Sequence, residues 1–178
     1  MSSPQEYYEL VGRCFKAFSD LEGSLDSTIG TFMKTDQSVA RAVLINMSFS
    51  GKVQLLGNLL FLKKKSLLND EYKKNFEHLE EVRIFRNNLA HAQLHTYFDK
   101  EEGEHKFINF NMKRVIRAQK KDFSKNWDYK NWLQEVSSQH LEDFIKKCEC
   151  LCFKINMTVI DIKGIKDHSS CSVFKNKK

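Results

Sequence analysis

Proline and glycine are scarce in this chain of 178 residues, which contains one proline and seven glycines. A loop-rich or many-stranded fold uses both residues in its turns, so their scarcity favours long helices. No run of apolar residues approaches the roughly 20 that a membrane-spanning helix needs. The sequence therefore predicts a mostly helical, soluble protein with no membrane partner.

A secretory signal is not recognisable either, because residues 1–6 lack a basic start followed by an apolar stretch. We expect the protein to be cytoplasmic. The formal net charge of +6 and the pI of about 9.0 favour acidic partners, of which nucleic acid is the most common. Lysine side chains on a solvated surface would account for the same excess of positive charge.

The five cysteines do not have the spacing of a metal site. Cys148, Cys150 and Cys152 alternate with single residues, whereas zinc sites use Cys-x-x-Cys pairs followed by a second pair of ligands. The simplest interpretation is a set of reduced thiols in a reducing compartment. We therefore expect no structural metal and no cofactor.

The spacing of apolar residues predicts four long helices. Ser3 and Pro4 are typical of a helix start, and the first helix is expected over 4–33, with a bend near Gly23 or Gly30. The other helices are expected over 37–64, from Asn69 or Asp70 to about Gln93, and over 127–161. The apolar stripe of the second helix contains Val39, Val43, Met47, Val53, Leu56 and Leu60, and that of the third contains Tyr72, Phe76, Leu79, Val82, Leu89 and Ala90.

Alternation of apolar and polar residues predicts a β-hairpin over 94–112, with an acidic turn over 99–104. The basic segment 113–121 has no clear preference. The expected fold class is all-α, a helical bundle of four long helices with this small β-hairpin inserted before the last helix. We expect one domain over 1–163, followed by a flexible basic tail over 164–178.

The stretch RNNLAH, from Arg86 to His91, carries the strongest functional signal. On a helical wheel, Arg86 falls at the centre of the apolar stripe of the third helix, and a buried guanidinium needs a partner or a ligand. Asn87 and His91 are four residues apart and share one edge of that stripe with Arg83. The pattern predicts a small anion site in which His91 supplies a group that titrates near neutral pH.

This stretch resembles the signature of the HEPN superfamily, in which an arginine is followed by a polar residue and, four to six residues on, by a histidine. Arg86, Asn87 and His91 match all three positions. The segment 47–56 also resembles the preceding helix of that group, and the resemblance spans about residues 35–160.

The resemblance implies an α-helical fold that forms two-fold homodimers and, in many members, a metal-independent endoribonuclease. Arg86, Asn87 and His91 would then be the catalytic set, and the sets of both protomers would meet across the dimer interface. Such members act in toxin–antitoxin, phage-defence or abortive-infection systems. The expected partners are therefore an RNA substrate and a cognate antitoxin or another neutralising protein. Other members have lost activity and serve as nucleotide-binding or protein-interaction domains.

Weaker candidates for RNA contact are Arg83, His95, Arg114 and Arg117. His95 lies four residues beyond His91, and the last two belong to a basic cluster after the predicted hairpin. Two alternatives remain open from the sequence. The arginine can be a satisfied interface residue with His91 a cation favoured by the helix dipole, or the chain can be a helical scaffold with a coincidental motif.

Overall fold

A computed structural model describes residues 4–63, 70–91, 93–99, 104–110 and 133–163. Within these ranges, five helices contain most of the residues, and a small sheet comes after the fourth helix and before the fifth in chain order. The predominantly helical class predicted from the sequence is confirmed. The predicted basic segment 113–121 and tail 164–178 lie outside the described residues, as does the predicted turn at 100–103.

The helices are α1 (Pro4–Met33), α2 (Gln37–Leu44), α3 (Phe49–Lys63), α4 (Asp70–His91) and α5 (Ser138–Lys163). The strands are β1 (Gln93–Asp99), β2 (Glu104–Phe110) and β3 (Leu133–Glu135). β2 pairs antiparallel with both of the others, so that Phe110 lies opposite Gln93 on one side and opposite Leu133 on the other. The sheet therefore begins two residues after α4 ends.

The first helix has the predicted bounds and ends in a left-handed turn. Lys34 adopts a φ of 55°. Its amide donates to the carbonyl of Thr31, and the amide of Thr35 donates to the carbonyl of Gly30, both at 3.2 Å. These two bonds satisfy carbonyls that the helix end would otherwise leave unpaired, as in a Schellman motif. The turn directs the chain back toward α1, and α2 follows.

The prediction of a single second helix over 37–64 was wrong, because the helical conformation is interrupted between Leu44 and Phe49. Ser48 begins a new helix there: its Oγ accepts the amide of Gly51 at 3.1 Å, and its carbonyl accepts the amide of Lys52 at 3.0 Å. A serine that accepts both bonds is an N-cap. This local signal was present in the sequence, but the regular apolar spacing on both sides concealed it.

The break changes which face of α2 is buried. Val39 and Val43, which were predicted to be apolar-stripe residues, are 51% and 55% exposed, whereas Ala40 and Leu44 are buried. Ala40 lies close to α1: a Cβ atom added to Gly30 would be 2.8 Å from the Cβ atom of Ala40. Gly30 is thus the point of close approach between α1 and α2, since only glycine leaves room there.

The last helix begins at Ser138, not near residue 127 as predicted, because residues 133–135 form β3. Ser137 caps the helix: the amide of His140 donates to Ser137 Oγ at 3.3 Å, and the amide of Ser137 donates to His140 Nδ1 at 3.2 Å. This reciprocal pair has the form of a capping box, with histidine where glutamate is usual. The histidine at this position hid the start of the helix from a search for the usual residues.

The core lies where α1 contacts the other helices. α1 and α5 run side by side in the same direction, since the hydroxyl of Tyr7 donates to the carbonyl of Val136 at 3.0 Å and the thiol of Cys14 to that of Leu141 at 3.5 Å. The most completely buried apolar side chains are Tyr7, Cys14, Leu21, Leu25, Ile29, Ala40, Leu44, Leu141, Cys148 and Leu151. Burial of this continuous cluster from α1, α2 and α5 is the main force that holds these three helices together.

α4 packs against α5 in the opposite direction. The rings of Phe85 and Phe144 stack with their centroids 4.7 Å apart, and Lys154 Nζ donates to Asn75 Oδ1 at 2.9 Å. α4 also contacts α1 through its carboxy-terminal half, and this contact fixes the position of Arg86. None of the helices in the described ranges combines the length and hydrophobicity that a membrane crossing requires.

Candidate functional site

A pocket of about 310 Å³ opens where α1, the α2–α3 turn and α4 meet. It is called the Arg86 pocket below. Its lining residues are Phe18 and Glu22 of α1, Met47 and Ser48 of the turn, Phe49 and Ser50 of α3, and Arg83, Arg86 and Asn87 of α4. Three residues predicted from the sequence, Arg83, Arg86 and Asn87, are therefore brought together here.

The guanidinium of Arg86 lies over an aromatic ring, and one of its donors has no acceptor in the described part of the chain. The centre of its guanidinium lies 5.3 Å from the centroid of the Phe18 ring, and its Nη1 donates to Asn87 Oδ1 at 3.1 Å. Its Nε is buried and has no hydrogen-bond partner among the described residues. A buried donor without an acceptor is costly, so this atom favours the binding of an oxygen-bearing ligand.

Burial along α4 follows the predicted apolar stripe in part. Leu79, Val82 and Leu89 are buried, as expected, but Ala90 is exposed. Around the helix axis Arg86 lies between Leu79 and Val82, and it is half-buried. A long side chain in this position can rest on the core through Phe18 while its head group reaches the pocket.

Arg83 lies one turn before Asn87 and is held by a carboxylate of its own helix. Its Nε donates to Glu80 Oε2 at 2.7 Å, and its Nη2 contacts Glu80 Oε1. These hydrogen bonds lower the pKa of Glu80 and raise that of Arg83. Both side chains are substantially exposed, and a surface pair of this kind contributes less than about 1 kcal/mol. Arg83 can therefore exchange this partner for a ligand at small cost.

The structure does not place His91 in the Arg86 pocket. The predicted row along one edge of α4 exists, but only Arg83 and Asn87 line the pocket, and His91 is the exposed last residue of the helix. His91 lies five positions after Arg86, which corresponds to about 7.5 Å along the helix axis and about 140° around it. Within one chain, the guanidinium and the imidazole therefore point in different directions.

The remaining predicted contacts are described only in part. His95 belongs to β1, where its backbone lies opposite Ile108. Arg114 and Arg117 lie outside the described residues. The candidate site is thus limited to the pocket, with His91 beyond its rim.

The amino terminus of α3 adds to the positive character of the pocket. Ser48 and Ser50 line it, and Ser48 is the N-cap of this helix of 15 residues. The first turn of a helix carries a partial positive charge and unpaired amide groups, both of which favour an anion. The pocket therefore combines two arginines, a helix start and the polar side chain of Asn87.

A buried lysine beside the pocket was missed in the sequence. Lys52 of α3 is 4% exposed, and its Nζ donates to Glu22 Oε1 at 2.9 Å and to Asp26 Oδ2 at 3.0 Å. Burial tends to lower the pKa of Lys52, but the hydrogen bonds that its ammonium group donates to Asp26 and Glu22 outweigh this effect, so the pKa is raised. The ammonium group is therefore charged and paired with two carboxylates.

The sequence did contain a signal for this lysine. Lys52 lies three residues after Phe49 and four before Leu56, both of which are buried, so it interrupts the apolar face of α3. The same reasoning singled out Arg86 on α4. Which acidic residues would pair with Lys52 could not be read from the chain, because Glu22 and Asp26 are about 30 residues away on another helix.

The chemistry open to this site is that of anion binding by fixed donors. Among the described residues, no three histidine, cysteine, aspartate or glutamate side chains are grouped so that they could hold a metal ion. The arginines and the start of α3 instead present hydrogen-bond donors to one cavity, the arrangement that suits a phosphate or carboxylate. A comparison with models of known protein families, with curated proteins and with solved structures finds no match to this chain.

Proposed function

We propose that this protein is a HEPN-type, metal-independent endoribonuclease whose active site is completed in a homodimer. Arg86, Asn87 and His91 of both protomers form the catalytic set in this proposal. The observation that carries it is the guanidinium of Arg86, which lies at a pocket with its Nε buried and without an acceptor among the residues that the structure describes. The host process would be a toxin–antitoxin system or phage defence in the cytoplasm, with a neutralising protein as a further partner.

The proposed reaction is cleavage of RNA by its own 2′-hydroxyl. It needs a base for that hydroxyl, an acid for the leaving 5′-oxygen, and cations for the charge that develops on phosphorus. His91 can serve as base or acid near neutral pH. Arg86 can bind the phosphate and stabilise its transition-state charge, while Asn87, which already accepts a hydrogen bond from Arg86, orients it.

The place of His91 explains why two chains are required in this proposal. The residue is exposed at the end of α4, outside the pocket of its own chain. A second chain related by a two-fold axis would offer its own His91 from the opposite side, so that two imidazoles could share the two proton transfers. Two Arg86 side chains that face each other would repel, and a phosphate between them would relieve the repulsion.

The alternative is a non-catalytic domain of the same type that binds a nucleotide or a protein. The separation of His91 from the pocket within one chain favours this alternative. Arg86 and Asn87 would then hold a phosphate without cleaving the RNA chain. Anion binding is common to both functions, and only His91 distinguishes them.

The test compares the wild type with Arg86→Ala and His91→Ala on single-stranded RNA. Removal of one charge-stabilising group should reduce cleavage by about 10²–10³-fold, and removal of a general acid or base by about 10²–10⁴-fold. Arg41→Ala is the matched control, because Arg41 is an exposed arginine on α2 that does not line the pocket.

A chelator should leave the cleavage rate unchanged. Three results would contradict the proposal: activity that survives His91→Ala, activity that a chelator abolishes, or a protein that stays monomeric at every concentration. The alternative function predicts that the wild type cuts no RNA, and that wild type and His91→Ala bind a nucleotide equally well.

A further inference from the structure

Lys52 lies beside the Arg86 pocket without lining it, and its two acceptors are both on α1. We infer that Lys52 is a positioning residue: it holds the carboxylate of Glu22 so that the guanidinium of Arg86 stays available for an oxyanion. This inference rests on the proposed function in one respect, because it takes phosphate as the ligand of Arg86.

Glu22 and Arg86 are neighbours of opposite charge. Both line the same pocket, and Glu22 follows one helical turn after Phe18, on whose ring Arg86 rests. Two such groups in one cavity would normally form a charge-assisted hydrogen bond. In the described part of the chain, however, the guanidinium donates to Asn87, and its Nε has no acceptor.

The reason lies with the other partner of Glu22. Lys52 Nζ donates a hydrogen bond to Glu22 Oε1 at 2.9 Å, and Asp26, one turn later in α1, pairs with the same ammonium group. Lys52 is 4% exposed, and a buried ammonium group cannot release its acceptors to water. Glu22 is 35% exposed and could otherwise turn toward the guanidinium of Arg86 across the pocket. The buried lysine therefore determines that Glu22 pairs with Lys52 and not with Arg86.

The charges lead to the same conclusion. Glu22 and Asp26 contribute two negative charges, which Lys52 and Arg86 together balance. Without Lys52 the group would carry a net negative charge next to the site where a phosphate is proposed to bind. A phosphate would then be repelled, and Arg86 would also acquire a competing carboxylate.

The experiment measures binding of inorganic phosphate to the full chain by the Nε–H resonance of Arg86 in NMR. Lys52→Met should weaken phosphate binding by about tenfold, the effect expected for one charge about 10 Å away at an effective dielectric near 20. Adding Glu22→Gln to that variant restores the charge balance and should return the affinity to within about threefold of wild type. Lys16→Met is the matched control, because it removes an exposed lysine of α1 that pairs with Asp20.

Because Glu22→Gln also removes the carboxylate that Lys52→Met leaves without a cation, phosphate affinity is compared between the folded proteins only. Rescue of affinity between two folded variants reports the charge at the pocket and not the stability of the protein. If Lys52→Met does not fold, the single variant Glu22→Gln decides, since Lys52 keeps its bond to Asp26 there. That variant should bind phosphate more tightly than wild type. Unchanged phosphate affinity in a folded Lys52→Met, failure of rescue in a folded double variant, or weaker binding by Glu22→Gln would overturn the inference.

These outcomes are independent of RNA cleavage. If the wild type cuts no RNA but the phosphate affinities follow the expected order, the proposed RNase function fails and the role of Lys52 stands. If the wild type cuts RNA and Lys52→Met binds phosphate as tightly as the wild type, the proposed RNase function stands and the role of Lys52 fails.

Discussion

Two faces of α1 bury polar groups in different ways. The first, called the α1–α5 seam, contains Tyr7 and Cys14, which donate to the carbonyls of Val136 and Leu141. Burial raises the pKa of both Tyr7 and Cys14 to about 12. Both groups therefore remain protonated at neutral pH and keep their hydrogen bonds, so the seam carries neutral donors with fixed acceptors.

The second face is the one that lines the Arg86 pocket. It carries charged groups: Glu22 and Asp26 pair with Lys52, and Arg86 lies over Phe18, with its buried Nε lacking an acceptor within the described ranges. In the α1–α5 seam, neutral groups with hydrogen-bond acceptors hold the helices together. At the pocket, a charged group whose Nε lacks an acceptor among the described residues can bind a ligand. Changes in the seam should therefore affect stability, and changes at the pocket should affect binding.

The largest expected effect tests the seam alone. Leu141 is completely buried, and Leu141→Ala should lower the free energy of unfolding by about 2–5 kcal/mol through lost burial and the cavity left behind. Phosphate binding to the folded fraction should not change. Urea denaturation measures the first quantity and NMR titration the second.

Val39→Ala is the control for this prediction, because Val39 is 51% exposed and its loss should change stability by less than about 0.5 kcal/mol. A phosphate affinity that falls with Leu141→Ala under conditions where the protein is folded would show that the two faces are coupled.

An intermediate effect is expected at Gly30, where α1 approaches α2. Gly30→Ala places two Cβ atoms 2.8 Å apart and should destabilise the protein by about 1–2 kcal/mol, after the gain in helix propensity is subtracted. The displaced α2 leads into the turn that lines the pocket, so phosphate binding should weaken as well. Thermal denaturation and the NMR titration measure the two effects.

Gly23→Ala, in the same helix, is the matched control, because an added Cβ there meets no atom within 4 Å. It should stabilise the protein by about 0.5–1 kcal/mol. Equal stability of the two alanine variants would show that α2 is free to move away from α1.

The smallest effect concerns the hydroxyl of Tyr7. Tyr7→Phe should cost about 1 kcal/mol, because the carbonyl of Val136 loses its buried donor. The variant should also change the response to alkali. The pKa of Tyr7 rises on folding from 10.0 to about 12, so its stabilising contribution is complete below pH 10 and is lost as the pH rises toward 12.

Urea midpoints between pH 8 and pH 11 measure this effect. The wild type should lose stability more steeply than Tyr7→Phe above pH 10. Burial also raises the pKa of the Cys14 thiol from 9.0 to about 12 and raises the pKa of Cys148, so both thiols should contribute to the loss that both proteins share from pH 9 upward. Parallel curves for the two proteins would contradict the assigned burial of Tyr7.

The helices could be predicted to different degrees, for identifiable reasons. The bounds of α1 were predicted correctly, because its apolar spacing is regular and Pro4 marks its start. The break between α2 and α3 was missed, because Ser48 interrupts a pattern that looks continuous on either side. The start of α5 was also placed too early, because β3 is only three residues long and is held by pairing with β2.

The candidate site could likewise be predicted only in part. Arg86 and Asn87 could be singled out from their positions on one helix, and the structure places both at a pocket. Lys52 could have been noticed by the same rule. The participation of Phe18 and Glu22 could not have been predicted, because they lie on a helix more than 60 residues earlier in the chain.

Local sequence patterns are enough to predict the helical character of this protein and the charged residues on otherwise apolar helix faces, because both depend on neighbours within a few turns. Which of these charges are paired follows from the packing of the helices and not from those patterns. Lys52 and Arg86 are both cations on apolar faces, yet packing supplied two carboxylates to Lys52 and an aromatic ring to Arg86. Pairing depends on contacts between distant helices, and the periodicity of a single helix carries no information about what will face it.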